Sequence, residues 1–135
     1  DKSVKDWGDL KGKSIVVVRS TMQDVELTAK ASALGINVVR FDDDATVITA
    51  ALSGQATYVG LGDPQMKAIN QRAGAKPFEA KLVIKQFPIA MGVKKGEPAL
   101  LAKLNEWIAA NAKSGKLNAI YRKHQGVDVP AEYLQ

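Results

Sequence analysis

Asp9-Leu10-Lys11-Gly12-Lys13-Ser14-Ile15-Val16-Val17-Val18-Arg19-Ser20-Thr21-Met22-Gln23-Asp24 reads as a turn, a short and wholly apolar strand, and a polar Ser-Thr turn that opens a helix near Gln23. In an open parallel α/β sheet, a strand's carboxyl end meeting a helix N-terminus is where backbone N–H groups and the helix dipole converge on an anion. The stretch therefore decides the fold class. It also offers Ser20-Thr21 as the seat of a small anionic group, such as a carboxylate.

Outward from that point, Gln23 to Leu34 carries Val25, Leu27, Ala29, Ala31 and Ala33 among polar residues, with Gly35 at its end. A glycine there makes a left-handed C-cap cheap, so the segment reads as a helix. Asn37-Val38-Val39-Arg40-Phe41 reads as the next strand. Together they predict a βαβ unit with a right-handed crossover. Asp42-Asp43-Asp44 follows, then a helix from Ala45 to Leu52 with Val47, Ile48, Ala51 and Leu52 at helical spacing. One of these aspartates serves as an N-cap and the others favour the positive helix end. Three clustered carboxylates also suit a divalent cation, but such a site draws carboxylates from more than one strand end. The first strand instead ends in Arg19-Ser20-Thr21.

Thr57-Tyr58-Val59-Gly60-Leu61-Gly62 is a third apolar strand whose glycines permit close backbone approach. Pro64 at the first helical position makes Asp63 the expected N-cap of a helix running to about Ala73, with Met66 and Ile69 on its apolar face. Asp63 and Thr21 both lie just beyond the carboxyl ends of strands of one sheet. Their side chains could thus face one crevice, Thr21 meeting a carboxylate and Asp63 an ammonium group, although every doubly wound fold caps helices at that edge. Lys81 to Lys85 and Ile89 to Lys94 read as two further strands, joined through Gln86-Phe87-Pro88 as a hinge. Pro98 opens a long helix with Leu100, Leu101, Leu104, Trp107, Ile108 and Ala112 on one stripe, read as core, and Gly115 ends it. A shorter helix with Leu117, Ile120 and Tyr121 follows. His124, at its end beside Arg122 and Lys123, has no carboxylate or serine partner near it in sequence and is a poor catalytic candidate.

The 135 residues, 46% hydrophobic and 24% charged, suit one globular core or one small lobe with an appendage. The formal net charge of +5 is spread along the chain, with clusters only at Lys94-Lys95 and Arg122-Lys123-His124. A solvated basic surface explains that pattern better than nucleic-acid binding. The absence of cysteine excludes disulfides, thiolate metal sites and cysteine nucleophiles. No apolar run approaches the length that spans a bilayer. The opening Asp1-Lys2-Ser3-Val4-Lys5-Asp6-Trp7 reads as a mid-protein linker.

In order, Asp9-Leu10-Lys11-Gly12-Lys13, an apolar strand, Arg19-Ser20-Thr21-Met22-Gln23-Asp24, Phe41-Asp42, Ala50-Ala51-Leu52-Ser53-Gly54-Gln55, Gly62-Asp63, Ile89-Ala90-Met91-Gly92-Val93-Lys94-Lys95-Gly96-Glu97, Leu100-Leu101-Ala102-Lys103-Leu104-Asn105, Ser114-Gly115-Lys116-Leu117 and Ile120-Tyr121 resemble the second half of a family-3 extracellular solute-binding protein. These are the periplasmic polar amino-acid-binding components of ABC importers. Each motif alone is weak, but their colinear succession covers essentially the whole chain.

The resemblance implies an α/β fold: a type II periplasmic-binding-protein-like lobe, three layers with a mainly parallel sheet, plus C-terminal helices. It implies a small lobe with an N-terminal linker over residues 1–88. Residues 89–135 would be a hinge strand and helices that normally pack on a first lobe. Thr21, with Ser20 and Met22, matches the family's turn that receives the ligand α-carboxylate through a hydroxyl and backbone N–H groups. Asp63 matches the carboxylate that pairs with the α-ammonium, and Gln23 a polar position near the same pocket. No catalytic residue, metal or cofactor is implied.

The implied role is solute binding for ABC import, with an amino acid as ligand, an ABC permease as partner and a periplasmic location. The fold also occurs in dehydratase-like enzymes and in sensory or lyase-associated modules. A dehydratase would need an acid/base pair that Asp63 alone does not supply. The chain departs from the family pattern at Ser20, usually Gly, and at Thr57-Tyr58, often Asp-Ala, where Tyr58 either packs or narrows the entrance. The residues that normally form the first lobe precede the Asp-Leu-Lys-Gly-Lys motif. The chain is therefore expected to be a piece of a longer protein, or to cover its apolar stripe with a second copy, as in a domain-swapped dimer.

Overall fold

Ser14–Val18 (β1) is the middle strand of a three-stranded parallel sheet in the computed structural model, with Asn37–Phe41 (β2) on one side and Tyr58–Gly60 (β3) on the other. The structure describes residues 3–74 and 76–133. Asp1 and Lys2, which begin the expected linker, and Leu134 and Gln135, which end the C-terminal segment, lie outside the described residues. The register pairs Ile15 with Val38 and Tyr58, and Val17 with Arg40 and Gly60. Met22–Leu34 (α1) joins β1 to β2, and Asp44–Leu52 (α2) joins β2 to β3. The first connection steps one way along the sheet and the second steps back past β1. Right-handed crossovers therefore place the two helices on opposite faces.

Side-chain alternation along β1 fills both faces. Ile15 and Val17 pack with Leu27 of α1, Ile36 and Leu10, whereas Val16 packs with Val47 and Ala50 of α2 and with Ala56. Val17, Leu27 and Val47 are wholly buried, each contributing roughly 1.5–3 kcal/mol by removal from water. Asp63–Arg72 (α3) packs beside α2 and buries Ile69 completely. The result is the helix–sheet–helix sandwich expected of a type II lobe.

Local chemistry sets the helix limits. Thr21 caps α1, and Gly35, at φ 64, closes it by donating to Ala31 and Ser32 carbonyls. Asp43 caps α2 by accepting the Thr46 N–H at 2.7 Å. At α3 the cap differs from expectation. Gly62 is the N-cap, Asp63 the first helical residue and Pro64 the second. Proline lacks an N–H but is tolerated anywhere in the first turn, where that donor has no partner.

The two strands expected at Lys81 to Lys85 and Ile89 to Lys94 do not form. Residues 81–85 do show strand-like alternation of burial. Leu82 and Ile84 pack on the α1-side core while Val83 is exposed. What they lack, among the described residues, is a neighbouring strand to complete a ladder. The segment is instead tied to α1 by the Lys30 Nζ–Ile84 carbonyl bond (3.1 Å) and the Lys85–Glu26 ion pair (2.6 Å). Ile89 is 89% and Met91 51% exposed, and no strand forms over residues 89–94.

The chain divides between Gln86 and Phe87 into two compact units. The second holds Pro98–Lys113 (α4) and Lys116–Gln125 (α5), joined by a left-handed Gly115 and packed on each other. The stripe read as core is not buried: Leu100, Leu101 and Trp107 are 47%, 44% and 41% exposed. A two-helix hairpin can bury only the seam between its members, and Leu104 and Ile108 take that share.

Candidate functional site

The strand order reverses at β1, because β1 connects toward β2 and β3 lies on its other side. In parallel sheets the crevice at such a reversal, outside the carboxyl ends, is where ligands gather. Here it is bordered by the β1–α1 turn and the β3–α3 turn.

The first turn holds Ser20, Thr21, Met22 and Gln23. Thr21 Oγ1 accepts the Asp24 N–H at 3.3 Å and donates to the Val18 carbonyl at 2.7 Å. Its hydroxyl hydrogen is engaged within the turn and must leave Val18 to reach a ligand. Met22 and Gln23 contribute the first N–H groups of α1, which helix geometry leaves without carbonyl partners. The helix dipole makes that end electropositive. Across the crevice, Asp63 is exposed, and no hydrogen bond or ion pair engages its carboxylate among the described residues. Gln23 spans the gap: its Nε2 lies 3.7 Å from where a Cβ on Gly62 would stand, and Gln65 Oε1 lies 3.1 Å from it. Gln23 of the first turn thus stands near the N-cap of α3, and the β1–α1 and β3–α3 turns meet at the carboxyl edge of the sheet.

The rim is polar. Arg19 Nε pairs with Asp42 Oδ1 at 3.0 Å, and Gln65 Nε2 donates to Asp44 Oδ2 at 3.1 Å. With Asp43 turned to Thr46, the three consecutive carboxylates diverge, which does not suit a shared cation. Tyr58 resolves toward packing: it begins β3 at the opposite edge of the sheet, against the α1-side core, with Lys13 Nζ 5.3 Å from its ring centre. A groove of about 400 Å³ near that edge, lined by residues including Lys13, Val16, Phe41 and Ala56, shares no residue with the crevice. His124 lies in the last turn of α5, in the second unit.

Asp24 was not singled out by its sequence position, although Thr21-x-x-Asp24 has the spacing of a capping box. It is buried, and its carboxylate accepts the Ser20 N–H (3.0 Å), the Thr28 hydroxyl (3.0 Å) and Arg40 Nε (2.9 Å). Burial pushes its pKa up, but the Ser20 N–H, the Thr28 hydroxyl and the Arg40 guanidinium outweigh that effect. The pKa ends below the ordinary aspartate value.

No family model matches the chain. The ABC transporter glutamine-binding protein GlnH of Bacillus subtilis (strain 168) is 29% identical over 139 aligned positions, covering 97% of this chain and 46% of that protein. The chain thus spans about half the length of the curated relative it matches. Among solved structures, substrate-binding domain 2 of Lactococcus lactis GlnP, in open conformation, superposes with a TM-score of 0.72 at 29% identity, covering 96% of this chain and 56% of that one. An ancestral arginine-binding protein bound to arginine superposes with a TM-score of 0.71 at 24% identity, covering 92% and 55%. These likenesses, the colinear motifs and the parallel sandwich agree on one reading: the chain has the fold of a type II periplasmic-binding-protein lobe and is similar to a lobe of the family-3 extracellular solute-binding proteins.

Proposed function

We propose that the chain supplies one wall of an amino-acid-binding cleft in the extracytoplasmic solute-binding component of an ABC importer. Ser20, Thr21, Met22 and Gln23 receive the ligand's α-carboxylate and Asp63 its α-ammonium. Residues 1–88 act as the small lobe. Residues 89–135 carry the return to a first lobe, or to a second copy of the chain, whose surface covers Leu100, Leu101 and Trp107. An ABC permease is the partner of the complete protein.

One observation supports this reading: among the described residues no hydrogen bond or ion pair engages the Asp63 carboxylate, and Asp63 begins α3 at the sheet edge where α1 presents its first N–H groups. An amino-acid zwitterion presents the complementary pair of charges. The role is read as binding rather than catalysis because the similar proteins are named as binding proteins, and a dehydratase-like reaction needs an acid/base pair that Asp63 alone does not supply.

A single wall binds weakly. Two charge-assisted contacts bring about 1.5–3 kcal/mol each, and association costs at least about 4 kcal/mol. At most about 2 kcal/mol then remains, a dissociation constant in the tens of millimolar or weaker, since 1 mM corresponds to roughly −4 kcal/mol and each ~1.4 kcal/mol is tenfold. Titration of the isotope-labelled chain with L-glutamine, followed by amide NMR, tests this. Saturable shifts at Ser20, Thr21, Met22 and Asp63, abolished by Asp63→Asn, are the expected result. No shift at those amides at the highest soluble concentration, or equal shifts in Asp63→Asn, would overturn it.

A further inference from the structure

We propose that Asp24, anchored by Arg40 and Thr28, is a positioning residue that holds Ser20 in the left-handed conformation and so aims the β1–α1 turn into the crevice. The ligand part of this inference rests on the reading of that turn as an amino-acid-binding wall.

Ser20 has φ 61 and is the one positive-φ residue other than glycine among the described residues. That conformation costs an L-residue about 1–2 kcal/mol, so surrounding contacts must hold it. The contact on its N–H is the Asp24 carboxylate, at 3.0 Å. In an ordinary capping box the acidic side chain returns to the N-cap's own N–H. Here the N-cap is Thr21, whose N–H turns to the Val18 carbonyl at 3.4 Å, and the carboxylate reaches one residue further back, to the strained position.

The carboxylate is itself fixed from two other directions. Arg40 lies on β2, on the sheet face that meets α1, and gives Asp24 its Nε at 2.9 Å while donating to the Thr28 hydroxyl at 2.6 Å. Thr28, one turn along α1, donates to the same carboxylate at 3.0 Å. A carboxylate pinned by a neighbouring strand and by its own helix has little freedom to follow Ser20 into another conformation. Releasing Ser20 would reorient the Ser20 and Thr21 peptides, which precede the N–H groups of Met22 and Gln23.

The test is a double-mutant cycle in the full chain with Asp24→Ala, Ser20→Gly and both. Glycine adopts positive φ without penalty, so it makes the proposed restraint dispensable. Asp24→Ala is expected to speed exchange of the Ser20 amide. The damage to the unfolding constant is expected to be larger by about fivefold or more in the Ser20→Gly background, because only Ser20 recovers about 1–2 kcal/mol of strain by relaxing once Asp24 is gone. L-glutamine shifts at the Met22 and Gln23 amides should weaken in Asp24→Ala and return in the double variant.

Additive effects on unfolding, or an L-glutamine response that Ser20→Gly does not rescue, would overturn the proposal. If the wild-type chain shows no L-glutamine response, the ligand reading fails alone, and the exchange and unfolding cycle still decides the positioning role. If Asp24→Ala does not fold, Arg40→Met and Thr28→Val replace it in the cycle, with the same coupling expected and the same additivity overturning.

Discussion

Replacing Gly60 by alanine sets two effects of opposite sign against each other. In a strand interior, glycine costs roughly 0.5–1 kcal/mol relative to alanine, so in open space the substitution stabilises. Gly60 is not in open space. A Cβ there would stand 2.9 Å from Leu27 Cδ1, 3.0 Å from Val17 Cγ1 and 3.2 Å from Ile84 Cδ1. Leu27 and Val17 are wholly buried and cannot turn outward. Ile84 belongs to the unpaired segment and can yield. Overpacking of this kind costs about 1–3 kcal/mol, which leaves a net loss centred near ~1 kcal/mol, and at most about 2.5 kcal/mol, after the entropic gain. Urea unfolding measures it as a lower midpoint with an unchanged slope, a shift of about 0.3–1 M for slopes near 1–3 kcal/mol/M. Adding Ile84→Ala should not restore stability, because the two closer contacts persist. A Gly60→Ala variant as stable as wild type, or more so, would refute the packing of Leu27 and Val17 over β3.

The pH dependence has a defined sign. The Asp24 pKa is lowered on folding, so its stabilisation is complete above about pH 4 and is lost as pH falls through the folded pKa. Asp43 shifts the same way, chiefly through the Thr46 N–H. Denaturant midpoints across this acid range should therefore fall, and fall less steeply in Asp24→Asn. Asn70 exchanges two hydrogen bonds with the Phe78 backbone, at 2.9 and 2.7 Å. Asn70→Ala should cost about 1–3 kcal/mol, read by urea unfolding, and a loss below about 0.5 kcal/mol would show the loop is not held there. Asp63→Asn should cost no more than the ~0.3–1 kcal/mol of one carboxylate–dipole interaction while removing the L-glutamine response. A thermal-unfolding loss well beyond that would make Asp63 structural.

Local chemistry was readable wherever one short stretch carries it. The apolar run Ile15–Val18, the Thr21 cap and Gly35 at φ 64 each depend on neighbours within a few residues, so β1, α1 and β2 could be drawn from the chain alone. The proposal for the crevice residues rests on topology, since strand ends and helix starts must share one edge of a parallel sheet. The helix containing Pro64 was displaced by one residue because proline fits either of its first two positions. The segment at residues 81–85 has the alternation of a strand, but pairing depends on what lies beside it, and alternation carries no information about that. The Leu100–Trp107 stripe marks a face that can be buried, not the surface that buries it. Asp24 escaped notice for a related reason. Its three partners come from the turn before it, the helix after it and a strand sixteen residues on, and the role appears only when they converge.

The central place of β1 also orders events in time. Ser14 meets Asn37 across 23 residues of chain (37 minus 14), whereas Ile15 meets Tyr58 across 43 (58 minus 15). Closing the longer loop costs about 0.6 kcal/mol more per doubling of length, and contacts nearer in sequence form sooner. Assembly therefore favours β1, α1 and β2 as the nucleus, with the Ser20 turn and its Asp24–Arg40 brace already in place. β3 and α3 then dock along β1's free edge, carrying Asp63 with them. On this route the N-terminal end of α1 is in place before Asp63 arrives, and under the proposed function the docking of β3 and α3 is the step that brings together the groups assigned to the two ends of a zwitterion.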